Sequence, residues 1–191
     1  MSAADYRTRI LDAAEACLVE QRMSAPLHAR IAERAGLSRP TVYKYVGDQE
    51  EIFRAVLERL AGRYVEAVLP ELSRPLPLID KFSQLTGFSV DFFRSSEVVS
   101  AIIANEGDRF LTWLADEFER VVRESVTPLV PLMHEWLPAT RKAAIPVEEV
   151  LEWGVRITIA LVFMPSGSRP LGTRAEVEVY VRDFLGAFGT R

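Results

Sequence analysis

An all-α protein is what this sequence predicts, and three observations carry the prediction. Apolar residues recur at helical spacing almost from end to end, and no stretch of any length alternates apolar and polar residues as a half-buried strand would. Ile31 to Val46 reads as a helix, a tight turn and a second short helix. Composition agrees: 49% of the 191 residues are hydrophobic and 26% charged, which suffices for a substantial core. The expected architecture is a three-helix N-terminal domain over residues 1–47 followed by a larger helical domain over 48–191, entered through a connecting helix at 48–69.

The first helix is expected from Asp5 to about Glu20, where Ile10, Ala13, Ala14, Cys17 and Leu18 share one face. Residues 21 to 25 connect it to a second helix that Pro26 starts, with Leu27, Ile31 and Ala35 four apart on its inner face. Gly36 stands where the chain must turn, Leu37 fills the corner, and Ser38 is a good N-cap for a third helix. Pro40 is tolerated in that helix's first turn, because the N–H it lacks has no intrahelical partner there. Val42 and Val46 turn inward, leaving Arg39, Thr41, Tyr43 and Lys44 outward: donors, a phenol and cations, which suit phosphates and base edges. Spacing alone equally allows a helical hairpin with a solvated charged face.

Gly47 breaks the third helix, and Asp48 with Glu51 three residues later forms a capping box for the connecting helix. That helix carries Ile52, Phe53, Val56, Leu57, Leu60, Tyr64 and Val68 toward Pro70. Further on, Leu78–Arg94, Glu97–Ala104 and Asp108 to about Val126 are expected helices, and Pro128, Pro131 and Pro138 kink or divide the next stretch. Val147–Met164 and Thr173–Phe188 form the last two, separated by a loop from Pro165 to Gly172.

Charge and composition narrow the function classes. Net charge is −4, yet seven bases balance seven acids through residue 50, and four bases against one acid, Glu33, fall between Arg30 and Lys44. Such local positive charge fits a small phosphate-facing surface, and the acidic remainder limits indiscriminate binding. Cys17 is the single cysteine and lies on the inner face of its helix, so neither a disulfide framework nor a multi-cysteine zinc site is expected. His28 and His134 are far apart, and neither metal nor cofactor is anticipated. A glycine-rich phosphate loop, a nucleophile elbow and a histidine–carboxylate cluster are all missing, and Tyr43 and Lys44 are adjacent rather than spaced as a catalytic pair; an enzyme is not expected. Ile157–Met164 is too short for a membrane span and follows Arg156, while Asp5, Arg7, Arg9 and Asp12 interrupt any signal-like apolar run. A cytoplasmic protein without membrane partners is the expectation.

The run IAERAGLSRPTVYKYVGDQEEIFRAVLERL, within residues from about 6 to 64, resembles the N-terminal domain of TetR-family transcriptional regulators. The likeness rests on Ile31-Ala32, Ala35-Gly36, Thr41, Tyr43, Tyr45 and the acidic Glu50. It implies a homodimeric repressor that binds a two-fold site in double-stranded DNA and leaves it when a small hydrophobic or amphipathic ligand binds. By this similarity Ser38, Arg39, Pro40, Thr41, Lys44 and Tyr45 belong to the DNA-binding set, with Tyr43 at a phosphate. His28, near the start of the second helix, is placed either to approach a phosphate or to stand exposed without a role. Two departures stand out: Val46 replaces a common aromatic, and Gln49 occupies a position where a lysine usually touches the DNA backbone.

The resemblance also implies that the last two helices pair with their copies, through stripes formed by Leu151, Val155, Ile159 and Val162 and by Val177, Val181 and Leu185. For a ligand, Phe88, Phe92, Phe110, Trp113, Met133 and Trp136 are candidate apolar walls and Asn105 and His134 candidate polar contacts. Alternatively these are all core residues, and the chain is an all-α interaction protein without operator binding, to which Gln49 and the neutral N-terminal segment point.

Overall fold

The computed structural model of the chain describes residues 2–20, 27–136, 145–164 and 166–189. The expected start at Pro26, the connection at 21–25, the Pro138 kink and the Trp136 side chain lie outside the described residues. Those described contain nine α-helices and no strand: α1 (Ala3–Glu20), α2 (Leu27–Ala35), α3 (Arg39–Val46), α4 (Gln49–Leu72), α5 (Leu78–Ser95), α6 (Glu97–Val126), α7 (Val130–Trp136), α8 (Val147–Phe163) and α9 (Arg174–Gly189). No helix among them is long and apolar enough to cross a membrane.

Two elements differ from what periodicity suggests. α4 runs through Pro70 to Leu72 instead of stopping before it. A proline so near a helix end forfeits only one hydrogen bond, and this end is capped: the buried Lys81 ammonium donates to the Leu72 carbonyl, and the Ser73 N–H to that of Leu69 at 3.2 Å. Desolvation lowers the Lys81 pKa below its ordinary value. The expected helices at Glu97–Ala104 and Asp108–Val126 are one element, α6, whose helical geometry fails at Glu106 (φ −136°, ψ 21°), just before Gly107.

Packing divides the chain into two compact units, residues 1–63 with 96–113 and residues 64–95 with 114–191. In the first, α1, α2 and α3 pack against one another around Ile10, Ala14, Leu27, Ile31 and Val42, closed by Ile52, Phe53 and Val56 of α4 and by Val98 and Ile102 of α6. Cys17 belongs to this core, and burial pushes its thiol pKa up although Arg30 and Arg34 pull the other way; it stays protonated and inert.

In the second unit α5 is central, packing on α8 and most extensively on α9. Its buried face is made of small residues, Ser83, Thr86, Gly87 and Ser89, with Val90. The three hydroxyls donate to the carbonyls of Ile79, Phe82 and Leu85 on their own helix, so burial leaves them satisfied while the backbone of α9 comes close. Val90, Leu171, Val177 and Val181 form the apolar part of this contact, and Val68, Leu72 and Leu129 form a separate cluster.

Gly87 sets the approach of α5 to α9. A Cβ there would lie 2.4 Å from the Glu178 Cγ and 3.1 Å from the Arg174 carbonyl oxygen. At Gly62 on α4 a Cβ would meet no atom within 4 Å among the described residues. Gly87→Ala is therefore expected to destabilise the protein by about 1–2 kcal/mol, since overpacking exceeds the gain in helix propensity. Gly62→Ala, with only the propensity term, is expected to stabilise by about 0.5–1 kcal/mol. Urea unfolding of the two variants beside the parent checks both signs.

Candidate nucleic-acid interface

The turn between α2 and α3 follows from two residues. Gly36 adopts φ 59°, which no side chain opposes. Its N–H donates to the Glu33 carbonyl at 3.0 Å and that of Leu37 to Ala32 at 2.8 Å, the pair of bonds that defines a Schellman end. Ser38 is extended (φ −78°, ψ 151°) and its Oγ accepts from the Thr41 N–H at 3.2 Å, capping α3 with Pro40 in the first turn. The hydroxyls of Ser38 and Thr41 are also hydrogen-bonded at 2.7 Å. The Thr41 hydroxyl is thus used locally.

The far end of α3 is closed as firmly. Gly47 has φ 93° and its N–H donates to the Tyr43 carbonyl. The expected capping box is present in both directions: the Glu51 N–H donates to Asp48 Oδ1 at 2.9 Å and the Asp48 N–H to Glu51 Oε2 at 2.8 Å. Gln49 opens α4 directly beyond, half-buried.

Between these ends Val42 is fully buried and Val46 nearly so. Arg39, Pro40 and Lys44 are exposed, and Tyr43 is 53% exposed, unusual for so large a ring. Tyr45 is directed elsewhere: its ring lies flat on Tyr6 of α1 (centroids 4.7 Å apart, 8° between planes) with the Lys44 ammonium 5.3 Å above it. His28 of α2 stacks on Tyr43 (4.2 Å, 7°), and its Nε2 lies 3.0 Å from the Gly47 carbonyl oxygen. Because that oxygen can only accept, Nε2 carries the proton.

Positive charge is distributed less simply than the sequence count suggests. Glu20 pairs with Arg34 at 2.7 Å and with Arg30 at 4.0 Å, both toward α1. Of the four bases between residues 30 and 44, Arg39 and Lys44 are those on α3, without an ion pair among the described residues. An exposed arginine and lysine flank an exposed phenol on a short helix whose other face is sealed. That is suited to entering a groove of DNA.

Residues 10–56 match the sequence profile described as bacterial regulatory proteins, tetR family. The helix-turn-helix segment is thus similar to the N-terminal domain of that family. A relative from Mycobacterium bovis, named as the uncharacterized HTH-type transcriptional regulator Mb2274c, is 41% identical over 69 residues. That match covers 36% of this chain and 34% of the relative, about a third of its length. Among solved structures, one from Mesorhizobium loti assigned to the TetR family has a TM-score of 0.67 at 20% identity, over 98% of this chain and 96% of that one. The TetR-family repressor AlkX from Dietzia sp., implicated in biodegradation of n-alkanes, has a TM-score of 0.67 at 18% identity, over 95% of this chain and 94% of its own. At these identities the structural likeness concerns the fold: a TetR-type helix-turn-helix domain with a helical C-terminal domain.

Outside the helix-turn-helix the predicted ligand residues fall in both units. Phe88 and Phe92 lie together (6.2 Å), joined by Phe93 and by Tyr64, whose hydroxyl is hydrogen-bonded to Ser89 Oγ at 2.7 Å. Met133 is buried in α7 and His134 exposed on it. Phe110 and Trp113 pack in the first unit, 5.8 Å apart, with Trp113 edge-on to Phe53; Asn105 also belongs to that unit. Among the described residues no three histidine, cysteine or acidic side chains gather as metal ligands.

Asp48 carries the capping box that opens α4 just beyond α3. Asp48→Ala is expected to cost about 1 kcal/mol of stability. A midpoint shift in thermal unfolding, with Glu50→Ala as the neighbouring control, measures it.

Proposed function

We propose that this chain is a homodimeric, sequence-specific DNA-binding transcriptional regulator, a repressor that leaves its operator when a small hydrophobic or amphipathic ligand binds. The observation that carries the reading is the face of α3: Arg39, Pro40, Tyr43 and Lys44 exposed above a buried Val42 and Val46. Arg39 is the base-reading residue, suited to the O6 and N7 acceptors of guanine, and the Pro40 ring and Thr41 methyl are complementary to a thymine methyl. Tyr43, Ser38 and Lys44 serve the phosphates and set register. Gln49 donates a hydrogen bond to the backbone without neutralising it, and Tyr45 acts from behind, holding α3 on α1.

Dimerisation is supported by α8. Over seventeen residues only Val147 is buried, although Leu151, Val155, Ile159 and Val162 are all apolar. A helix this apolar with so little of it sealed wants a second surface. On α9, Val177 (0%) and Val181 (3%) are already sealed within the protomer, whereas Leu185 is half-buried and Val179 and Phe184 face outward. The proposed interface therefore combines α8 with the outward side of α9. Two reading heads also make the contacts that one eight-residue helix is too small to supply.

Ligand sensing is supported by the aromatic cluster around Phe88, Phe92 and Tyr64, which carries polar groups in the Tyr64–Ser89 hydrogen bond and in the Arg174 guanidinium over Phe88. Burial raises the Tyr64 pKa, keeping the phenol neutral and suited to an uncharged or amphipathic molecule. Release requires that the ligand prefer a protein geometry that does not fit DNA, because a ligand with equal affinity for both states shifts nothing.

Selection of a preferred duplex from a randomised pool by the full-length protein, followed by fluorescence anisotropy, tests the DNA reading; failure to enrich any sequence overturns it. On the selected duplex Arg39→Ala is expected to lose about 1–3 kcal/mol and to relax preference at one base pair. Gln49→Lys is expected to tighten binding and steepen the dependence of log K on log salt by about 0.9. Ile159→Glu places an unpaired charge in the proposed interface. Light scattering should show a dimer for the parent and a monomer for that variant.

A further inference from the structure

His28 does more than stand near the reading head. It reaches from α2 to two points of α3 at once: its ring plane lies parallel to that of Tyr43 at 4.2 Å, and Nε2 donates to the carbonyl of Gly47, at the opposite end of the helix from the Ser38 cap. The hydrogen bond fixes the orientation of the imidazole, and the imidazole in turn fixes the plane of the phenol. A tyrosine with 53% of its surface exposed would ordinarily sample several rotamers, and each would have to be surrendered on binding. Here the ring is held in one of them before DNA arrives.

We propose that His28 is a positioning residue for DNA binding: it stacks on Tyr43 and, anchored by Gly47, preorganises the phenol to meet the phosphate backbone. This rests on the DNA-binding reading above and assigns His28 a role different from a phosphate contact of its own. It also gives a physical counterpart to Gln49. Where a cation on α4 would add counterion-release affinity, this chain has a neutral side chain, and a pre-set phenol recovers affinity without charge. A contribution of this kind leaves a distinct signature. Loss of a phosphate contact lowers the salt dependence of binding, whereas loss of preorganisation weakens affinity at every salt concentration alike.

The test uses full-length protein and the duplex it enriches from a randomised pool, with affinities measured by anisotropy over a salt series and melting temperatures recorded for each variant. His28→Ala is expected to weaken binding about three- to tenfold with an unchanged salt slope. His28→Phe keeps a flat partner for Tyr43 but loses the Gly47 anchor, and is expected to bind between His28→Ala and the parent. In a Tyr43→Ala background, His28→Ala is expected to change affinity by less than about twofold, since the two residues act as one unit. A salt slope lowered by about 0.9 in His28→Ala would show a direct phosphate contact and overturn the proposal. So would an equal loss with and without Tyr43, or losses that follow the melting temperature instead of the stack. If the parent enriches no duplex, the DNA-binding reading itself fails and takes this role with it.

Discussion

An eight-residue helix does not hold together alone, since isolated helices shorter than about 12–15 residues are marginal in water. Everything around α3 answers to that constraint. The Schellman end of α2 delivers the chain to Ser38 in an extended conformation, Ser38 caps the first turn, and Gly47 ends the helix in a geometry closed to side chains. Val42 and Val46 sink one face into the core of the first unit, and the flat contact of Tyr45 on Tyr6 holds a flank. The outward face carries the His28 ring on Tyr43 and otherwise little packing. It is available for recognition because the other surfaces and both ends are fully committed.

The same economy governs charge. A chain of net charge −4 has little general attraction for DNA, and two of the four arginine and lysine side chains between residues 30 and 44 are drawn toward Glu20. What remains on α3 is one arginine and one lysine. In the proposed homodimer, affinity built on so few cations is spread over shape, caps and a second copy of the head, which favours selectivity over indiscriminate binding.

How much of this was legible in the sequence depended on distance along the chain. The Gly36 turn, the Ser38 cap and the Asp48–Glu51 box are local devices, each written within a few residues, and each is present as read. The inward faces of α1, α2 and α3 were legible because helical periodicity names the buried side. Periodicity does not name what that side meets. Nothing local indicates that His28 lies on Tyr43, that Tyr6 lies under Tyr45, or that Glu20 collects two arginines of α2. Val177 and Val181 show the same limit, for their stripe was visible but α5 as its cover was not. Pro70 was misleading because a breaker near a helix end forfeits one hydrogen bond only, while the end itself is closed by Lys81, from the next helix, on the Leu72 carbonyl.

Arg94 ties these themes to the far end of the protein. From α5 its guanidinium donates to the carbonyl of Leu161, in the last turn of α8, and to that of Leu171, just before α9. Both ends of the segment that joins the two helices are therefore anchored on a third. Arg169, from between them, fastens the segment to α9 as well, pairing with Asp183 at 2.9 Å and lying over the Tyr180 ring. The connection is therefore a strap tied to α5 at both ends and to α9 along its length, so a change of its length would have to respect three fixed points.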